Sequence, residues 1–350
     1  MDEESIRLLD DLFNEDYHSN EPGLAVLIVI NNEIVYQRCY GLANLDQCIK
    51  ITSETNFRLA SLTKQFTAYG IMILEQQEKL LRTNTIGRFF SEEFQTKCPY
   101  LSKQVTIQHL LEHSSGIMDY EMHDNEDHLQ WSDFDVLEIL TDETFFTPGT
   151  HYRYSNTGYI LLGLIIEIIS QQSLEQFFSK NIFEPLHMKT SILYNSDQIV
   201  INNRALGYRK QINEQKYKLF DQSTTSATRG DGGIYMCLKD YLQWYRECPI
   251  LSSTAFPIDE APLETYHYEL GWFLTDSKGE IRLHSGNTCG FTHQVYRIDE
   301  ESRKILVLYL TNLGENNERI EKFNRLIVDK FPLLNPKTTN LLWNMVGLTR

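Results

Sequence analysis

A serine and a lysine stand three residues apart in FRLASLTKQFTA, at Ser61 and Lys64. Residues three apart on a helix share a face, so the hydroxyl and the amine can touch. The run that follows, YGIMILEQQEKLL, is strongly apolar. It places Lys64 in the first turn of a helix headed for the core. A buried ammonium is costly unless it is paired or loses its proton. Burial and the positive end of the helix dipole both lower its proton affinity. A neutral Lys64 can then take the Ser61 proton and make the serine a nucleophile. The competing reading is chance: composition alone gives on the order of one such spacing in a chain this size.

Two further clusters carry suitable side chains. HYRYSNTGY holds Tyr154, Ser155 and Asn156, after the turn TPGT and before a helix that Asn156 or Thr157 would cap. Tyrosine is a poor base unless a cation lowers its pKa; beside Lys64, Tyr154 can shuttle a proton to a leaving group. Asn156 can hold a substrate carbonyl or the lysine. LHSGNTCG holds His284, Ser285, Gly286 and Asn287 at the end of a half-alternating strand. Gly286 would let a substrate approach the backbone, with His284 and Ser285 facing it and the Asn287 N–H donated to it. The plainer alternatives are a helix cap in the one case and a packed histidine before a turn in the other.

These clusters need a frame. GLAVLIVI, NN and EIVYQRCYGLAN read as strand, tight turn, strand. Helices are expected near 62–80, 106–113, 134–141, 157–170 and 173–181. Strands return at YELGWFLTDS and, after the turn KG, at EIRLHSG, FTHQVYRID and KILVLYLTN, and ENNERIEKFNRLIVDKF reads as the last helix. Strands at both ends with a helical middle predict an α+β fold. One sheet would be built from residues 1–60 and 264–350, with a helical domain, 61–263, inserted. The active site would lie in the cleft between them. Loops 117–150 and 195–230, with Trp131 and several Tyr and Phe residues, are candidates for an acyl pocket.

The totals agree with an ordinary globular chain. Its 350 residues carry a formal net charge of −16, with 41% hydrophobic and 23% charged residues. Such acidity argues against binding nucleic acid or docking on anionic membranes. The most apolar stretch, YILLGLIIEII, is too short for a membrane span and contains Glu167. The first residues are acidic and amphipathic, so the expectation is a cytoplasmic chain, or a periplasmic or secreted one if an export segment has been trimmed. Six scattered cysteines without a C-x-x-C pair read as reduced thiols.

S-x-x-K, then Y-x-N, then H-x-G, in that order, resembles the serine β-lactamase and penicillin-binding-protein superfamily. The similarity is strongest to its class C β-lactamase-like branch, which includes esterases, D-amino-acid peptidases and DD-carboxypeptidases. It extends from about Gly23 to Asn312 through TIQHLLEHSSGIMDY, FTPGTHYRYSNTGYILLGLIIE, IFEPLHMKTS, GDGGIYMCLKDYLQW and HSGNTCGF. The resemblance implies an antiparallel sheet flanked by helices plus an all-helical insert. It implies Ser61 as acylated nucleophile, Lys64 and Tyr154 sharing proton transfer, and Asn156 orienting substrate. It also implies an oxyanion hole from the N–H groups of Ser61 and Asn287. The implied partner is a small-molecule or short-peptide acyl substrate, with no cofactor or metal. β-Lactamases usually carry lysine where this chain has His284, a residue common in the esterase and peptidase relatives. A histidine there offers a substrate carboxylate a cation only when protonated, near an unperturbed pKa of about 6.5. The expectation is therefore hydrolysis of an ester, amide or D-amino-acid peptide bond, with weak β-lactamase or DD-carboxypeptidase activity as the alternative.

Two rivals come from other classes. HLLEH, His109 to His113, matches the inverted zinc-peptidase pattern H-x-x-E-H. The SSG that follows ends the helix, and no third carboxylate ligand is evident. A catalytically silent binding protein is the other, opposed by three intact motifs. The chain has no G-x-S-x-G elbow, which excludes an α/β-hydrolase.

Overall fold

A computed structural model of the chain describes residues 1–123, 130–194, 200–211, 216–248, 267–274 and 280–330. The expected boundary at 263 and the expected turn at Lys278–Gly279 lie outside these residues. Helix α1 spans Glu3–Asp16, strand β1 Leu24–Ile30 and strand β2 Glu33–Tyr40. Asn31 and Asn32 join the two strands at φ of 50° and 67°. That is the mirror-image turn whose twist suits a hairpin. β1 is an unbroken apolar run with six of its seven residues buried. A strand covered on both faces reads this way instead of alternating.

The chain then adds β3 (Phe57–Arg58), helix α2 (Lys64–Gln76), the short helix α3 (Ile107–Leu111) and helix α4 (Asn156–Ser170). β4 (Ile192–Leu193) and β5 (Ile234–Met236) follow. The C-terminal part supplies β6 (His267–Glu269), β7 (Trp272–Leu274), β8 (Ile281–Thr288), β9 (Phe291–Glu300), β10 (Arg303–Thr311) and helix α5 (Asn317–Lys330). The main sheet runs β6-β7-β8-β9-β10-β1-β2. It is antiparallel throughout, with both ends of the chain contributing strands. The middle of the chain is chiefly helical and also carries two small sheets. One is β3-β5-β4; the other pairs Tyr208–Lys210 with Tyr217–Leu219.

Of YELGWFLTDS, expected as one strand, the described part, Tyr268 to Leu274, belongs to the β6–β7 hairpin, and the rest lies outside the described residues. Leu270 and Gly271 turn the chain at φ of 49° and 82°. Gly271 has a second constraint: a Cβ there would lie 2.5 Å from the backbone of Gln65. The hairpin tip therefore rests directly on the start of α2. On one face of the main sheet, α1 and α5 meet over Tyr309, with the Phe13 and Phe323 rings 5.5 Å apart. The opposite face carries the segment leading into α2. Helix α2 in turn packs closely on α4: a Cβ on Gly70 would come 2.8 Å from Ile166 Cδ1. Among the described residues no single helix is long and apolar enough to cross a membrane. None of the six cysteines forms a disulfide.

Candidate active site

Ser61 does not sit in the α-helix itself. It lies in a 3₁₀ turn, Ala60–Thr63, that feeds into α2 at Lys64. In a 3₁₀ turn, side chains three apart eclipse one another. This sets Lys64 Nζ 3.1 Å from Ser61 Oγ. Ala60, just before the serine, is held at φ 50°. That left-handed conformation is strained for a residue with a side chain and persists only where packing enforces it. Nothing about an alanine in the sequence announces it. The enforcing neighbour is β8: a Cβ on Gly286 would stand 2.3 Å from the Leu59 carbonyl oxygen. Gly286 thus admits the nucleophile-bearing turn against the strand, which corrects the expectation that its openness serves a substrate.

Lys64 is fully buried. Its three N–H groups donate to Ser61 Oγ, to Asn156 Oδ1 at 2.7 Å and to the Asp231 carbonyl at 3.0 Å. Nζ also lies 5.0 Å from the Tyr154 ring centre and 5.7 Å from that of Tyr159. Burial lowers the lysine pKa to about 8, against the opposing pull of Asp231, Glu121 and Asp119. The lysine is thus charged at rest yet within reach of a neutral form near physiological pH.

Asn156 is the first residue of α4. The cap is Ser155, whose Oγ accepts from the Gly158 N–H, instead of the expected Asn156 or Thr157. Asp119 reinforces it by accepting from the N–H groups of Asn156 and Thr157. Asn156 Nδ2 donates to Glu121 Oε1 at 3.1 Å. The amide is so held from both ends and presents its oxygen to Lys64.

Tyr154 is corrected in one respect. Burial raises its hydroxyl well above the ordinary phenol range, with the nearby Ser61 hydroxyl only partly countering. It is therefore a neutral phenol, and the lysine beside it does not make it a phenolate. Its Oη is buried and completes no hydrogen bond.

His284 lies on β8, fully buried in an aromatic setting made by Phe273, Tyr268 and Tyr154. Its Nδ1 donates to the Ser285 carbonyl at 2.6 Å, and its Nε2 accepts from the Tyr268 hydroxyl at 3.0 Å. Burial, and then the Lys64 charge, lower its pKa to about 3. The expected pH-dependent cation for a substrate carboxylate is therefore not available. Ser285 pairs across the sheet with Gln294, and Gln294 with Tyr309. That row of side chains lies on the α1 and α5 side, so strand alternation turns the Ser285 side chain away from Ser61. Asn287 is exposed, where β8 runs on past its pairing with β7.

The zinc pattern loses its geometric premise. α3 ends at Leu111 and His113 sits at φ 57°, so His109 and His113 do not share a helical face. His109 Nδ1 accepts from the Thr106 N–H and His113 Nδ1 from the Ser155 N–H. Among the described residues no group of three or more His, Cys, Asp or Glu side chains could hold a metal ion.

Several site residues escaped the sequence reading: Asp119, Glu121, Asp231, Tyr159 and Tyr268. Asp231 lies within GDGGIYMCLKDYLQW, but its approach to Lys64 depends on a long-range network. Arg229 pairs with Asp133 at 2.9 Å and with Glu167 at 2.9 Å, and Thr67 Oγ1 donates to the Gly230 carbonyl. Trp131, expected in an acyl pocket, is buried and ties its loop to Thr224 through its backbone N–H.

The sequence profile of the Beta-lactamase family matches residues 9–329. Penicillin-binding protein 4* of Bacillus subtilis (strain 168) is 31% identical over 318 residues, covering 84% of this chain and 68% of the relative. Among solved structures, an octameric penicillin-binding protein homologue from Pyrococcus abyssi superposes with a TM-score of 0.71 at 26% identity, over 89% of this chain and 74% of that one. The D-amino acid amidase from Ochrobactrum anthropi SV3 gives a TM-score of 0.70 at 20% identity, over 93% and 98%. With the family profile spanning most of its length and with these relatives, the chain belongs to the Beta-lactamase family, within the serine β-lactamase and penicillin-binding-protein superfamily.

Proposed function

We propose that this chain is a serine hydrolase that forms an acyl-enzyme on Ser61 and cleaves an ester or amide bond, including that of a D-amino-acid derivative. The observation that carries the reading is the Lys64 ammonium, buried with a pKa near 8 and bonded to both Ser61 Oγ and Asn156. In its neutral form Lys64 takes the proton as Ser61 Oγ bonds to the substrate carbonyl carbon. The carbonyl oxygen becomes an oxyanion held by the N–H groups of Ser61 and Asn287. The unpartnered Tyr154 phenol donates a proton to the leaving group as its bond to carbon breaks, and Lys64 returns a proton to Tyr154. Water then cleaves the acyl-enzyme by the reverse relay.

The neutral, buried His284 favours acyl substrates without a carboxylate over β-lactams and D-Ala-D-Ala peptides. The test is intact mass after treatment with a fluorophosphonate, run beside turnover of a neutral aryl ester. A single adduct mapping to Ser61 is expected, with both labelling and turnover lost in Ser61→Ala. An adduct that persists in the variant overturns the assignment.

A further inference from the structure

His113, the last residue of HLLEH, is buried against the side chain that hands a proton to the leaving group. Its ring centre lies 4.2 Å from that of Tyr154, at an interplanar angle of 36°. It also holds the main chain on both sides of that tyrosine. The His113 carbonyl accepts from the Arg153 N–H at 2.9 Å, and His113 Nδ1 accepts from the Ser155 N–H at 3.1 Å. The next carbonyl, of Ser114, accepts from the Gly149 N–H at 2.8 Å. Residues 149–155 are therefore tied to 113–114 at three points, two of which flank Tyr154.

The backbone that allows this is uncommon. His113 sits at φ 57°, a left-handed region that histidine enters more readily than most side chains, but still at a cost. Such a residue persists where its surroundings enforce it, and such residues gather at functional sites. From this conformation the carbonyl and the ring of one residue reach the same segment. The ring is itself held, with the Tyr268 ring centre at 4.2 Å and that of Tyr159 at 5.2 Å. Burial first, and then Lys64 and His284, keep the His113 pKa well below its ordinary value. The imidazole stays neutral, and Nδ1 stays an acceptor.

Tyr154 needs this support. Its hydroxyl lies near Ser61 but completes no hydrogen bond, so its ring and its backbone must keep it in place. A misplacement of about 1 Å can cost on the order of 10²-fold in rate. We propose that His113 is the positioning residue for Tyr154: stacked on the ring and bonded to the peptide groups on either side, it aims the phenol at the leaving group. His113 itself moves no proton. The inference rests on the acyl-enzyme reading of Ser61 and adds a residue to it.

The test separates two reactions at Ser61. A fluorophosphonate loses fluoride, which departs without a proton, so its labelling depends on Ser61 and Lys64 but not on Tyr154. Turnover of a neutral ethyl ester needs a proton for the departing ethoxide and so depends on Tyr154. His113→Ala should lower kcat on the ethyl ester by about 10–10²-fold, with KM within about twofold and the labelling rate within about threefold of wild type. His113→Asn keeps an acceptor for the Ser155 N–H and tolerates the left-handed backbone, so it should recover part of the lost rate. In a Tyr154→Phe background His113→Ala should add little, because the group it aims is gone. Equal losses in turnover and labelling, losses that multiply with those of Tyr154→Phe, or an unchanged kcat would overturn the proposal. Should His113→Ala fail to fold, His113→Asn takes its place in the same comparison, with a smaller expected loss. If wild-type Ser61 is labelled but these ratios fail, only this inference falls. If Ser61 is not labelled at all, the acyl-enzyme reading falls with it.

Discussion

Lys64 and His284 are two of the basic side chains buried in this cleft, beside His113, and both have the same exposure to solvent, none. Burial lowers the pKa of each, but the outcomes differ. Lys64 retains a pKa near 8 because Asp231, Glu121 and Asp119 oppose the cost of burial. His284 falls to about 3 because its neighbours are aromatic rings and the lysine itself, whose charge pushes it further down. One group remains a proton carrier in the working pH range, while the other is fixed as a neutral element that donates to a carbonyl and accepts from a tyrosine. Burial alone therefore does not identify a catalytic base. The charges that face it decide whether it titrates where chemistry needs it.

The largest expected effect comes from the titrating member of the pair. Lys64→Met should lower kcat on a neutral aryl ester by about 10²–10⁴-fold, the range for a positioned acid–base group. Tyr154→Phe should cost at least about 10²-fold. The double variant should lose much less than the product, because the two serve one proton relay. Steady-state kinetics of the three variants check this.

Making the two corners alike should fail. Among the described residues, aromatic rings and Lys64 face His284 and no carboxylate acts on it, so His284→Lys should destabilise the fold by about 3–5 kcal/mol. It should bring no gain on carboxylate-bearing substrates. Urea unfolding and a succinyl-ester assay read the two outcomes.

A smaller effect sharpens the contrast. His284 is depressed in the folded state from an unfolded pKa of about 6.5, so its contribution to stability is fully present above pH 6.5 and is lost as pH falls toward 3. His284→Gln removes the titration. The stability difference between wild type and variant should therefore shift against the wild type by roughly 2 kcal/mol between pH 7 and 5. Urea midpoints at the two pH values measure it.

The sequence made one corner legible and misled at the other, for physical reasons. Ser61 and Lys64 belong to one turn, so their approach is local and follows from spacing. Tyr154 and Asn156 could be placed because a Pro-Gly turn and a helix start bracket them. His284 could not be assigned a charge state from its strand, because Tyr268 and Phe273 come from a hairpin that the alternation had rendered as a single strand. The left-handed Ala60 was equally hidden, since its cause, the close approach of Gly286 to Leu59, joins residues more than two hundred positions apart. The Asp231 carbonyl accepts directly from Lys64, while the Arg229, Asp133 and Glu167 network anchors the chain two residues before it. Local rules reach such residues poorly. The strands and long helices, by contrast, were legible because apolar periodicity is itself a local property.

The central claim is that Ser61 is the nucleophile and that buried Lys64, in its neutral form, is its base. The most direct measurement is the rate of Ser61 acylation by a neutral aryl ester or fluorophosphonate as a function of pH, followed by intact mass. The rate should rise with pH, level off with an apparent pKa of about 8, and vanish in Ser61→Ala. A rate independent of pH between about 6 and 10, or labelling undiminished by Ser61→Ala, would contradict it.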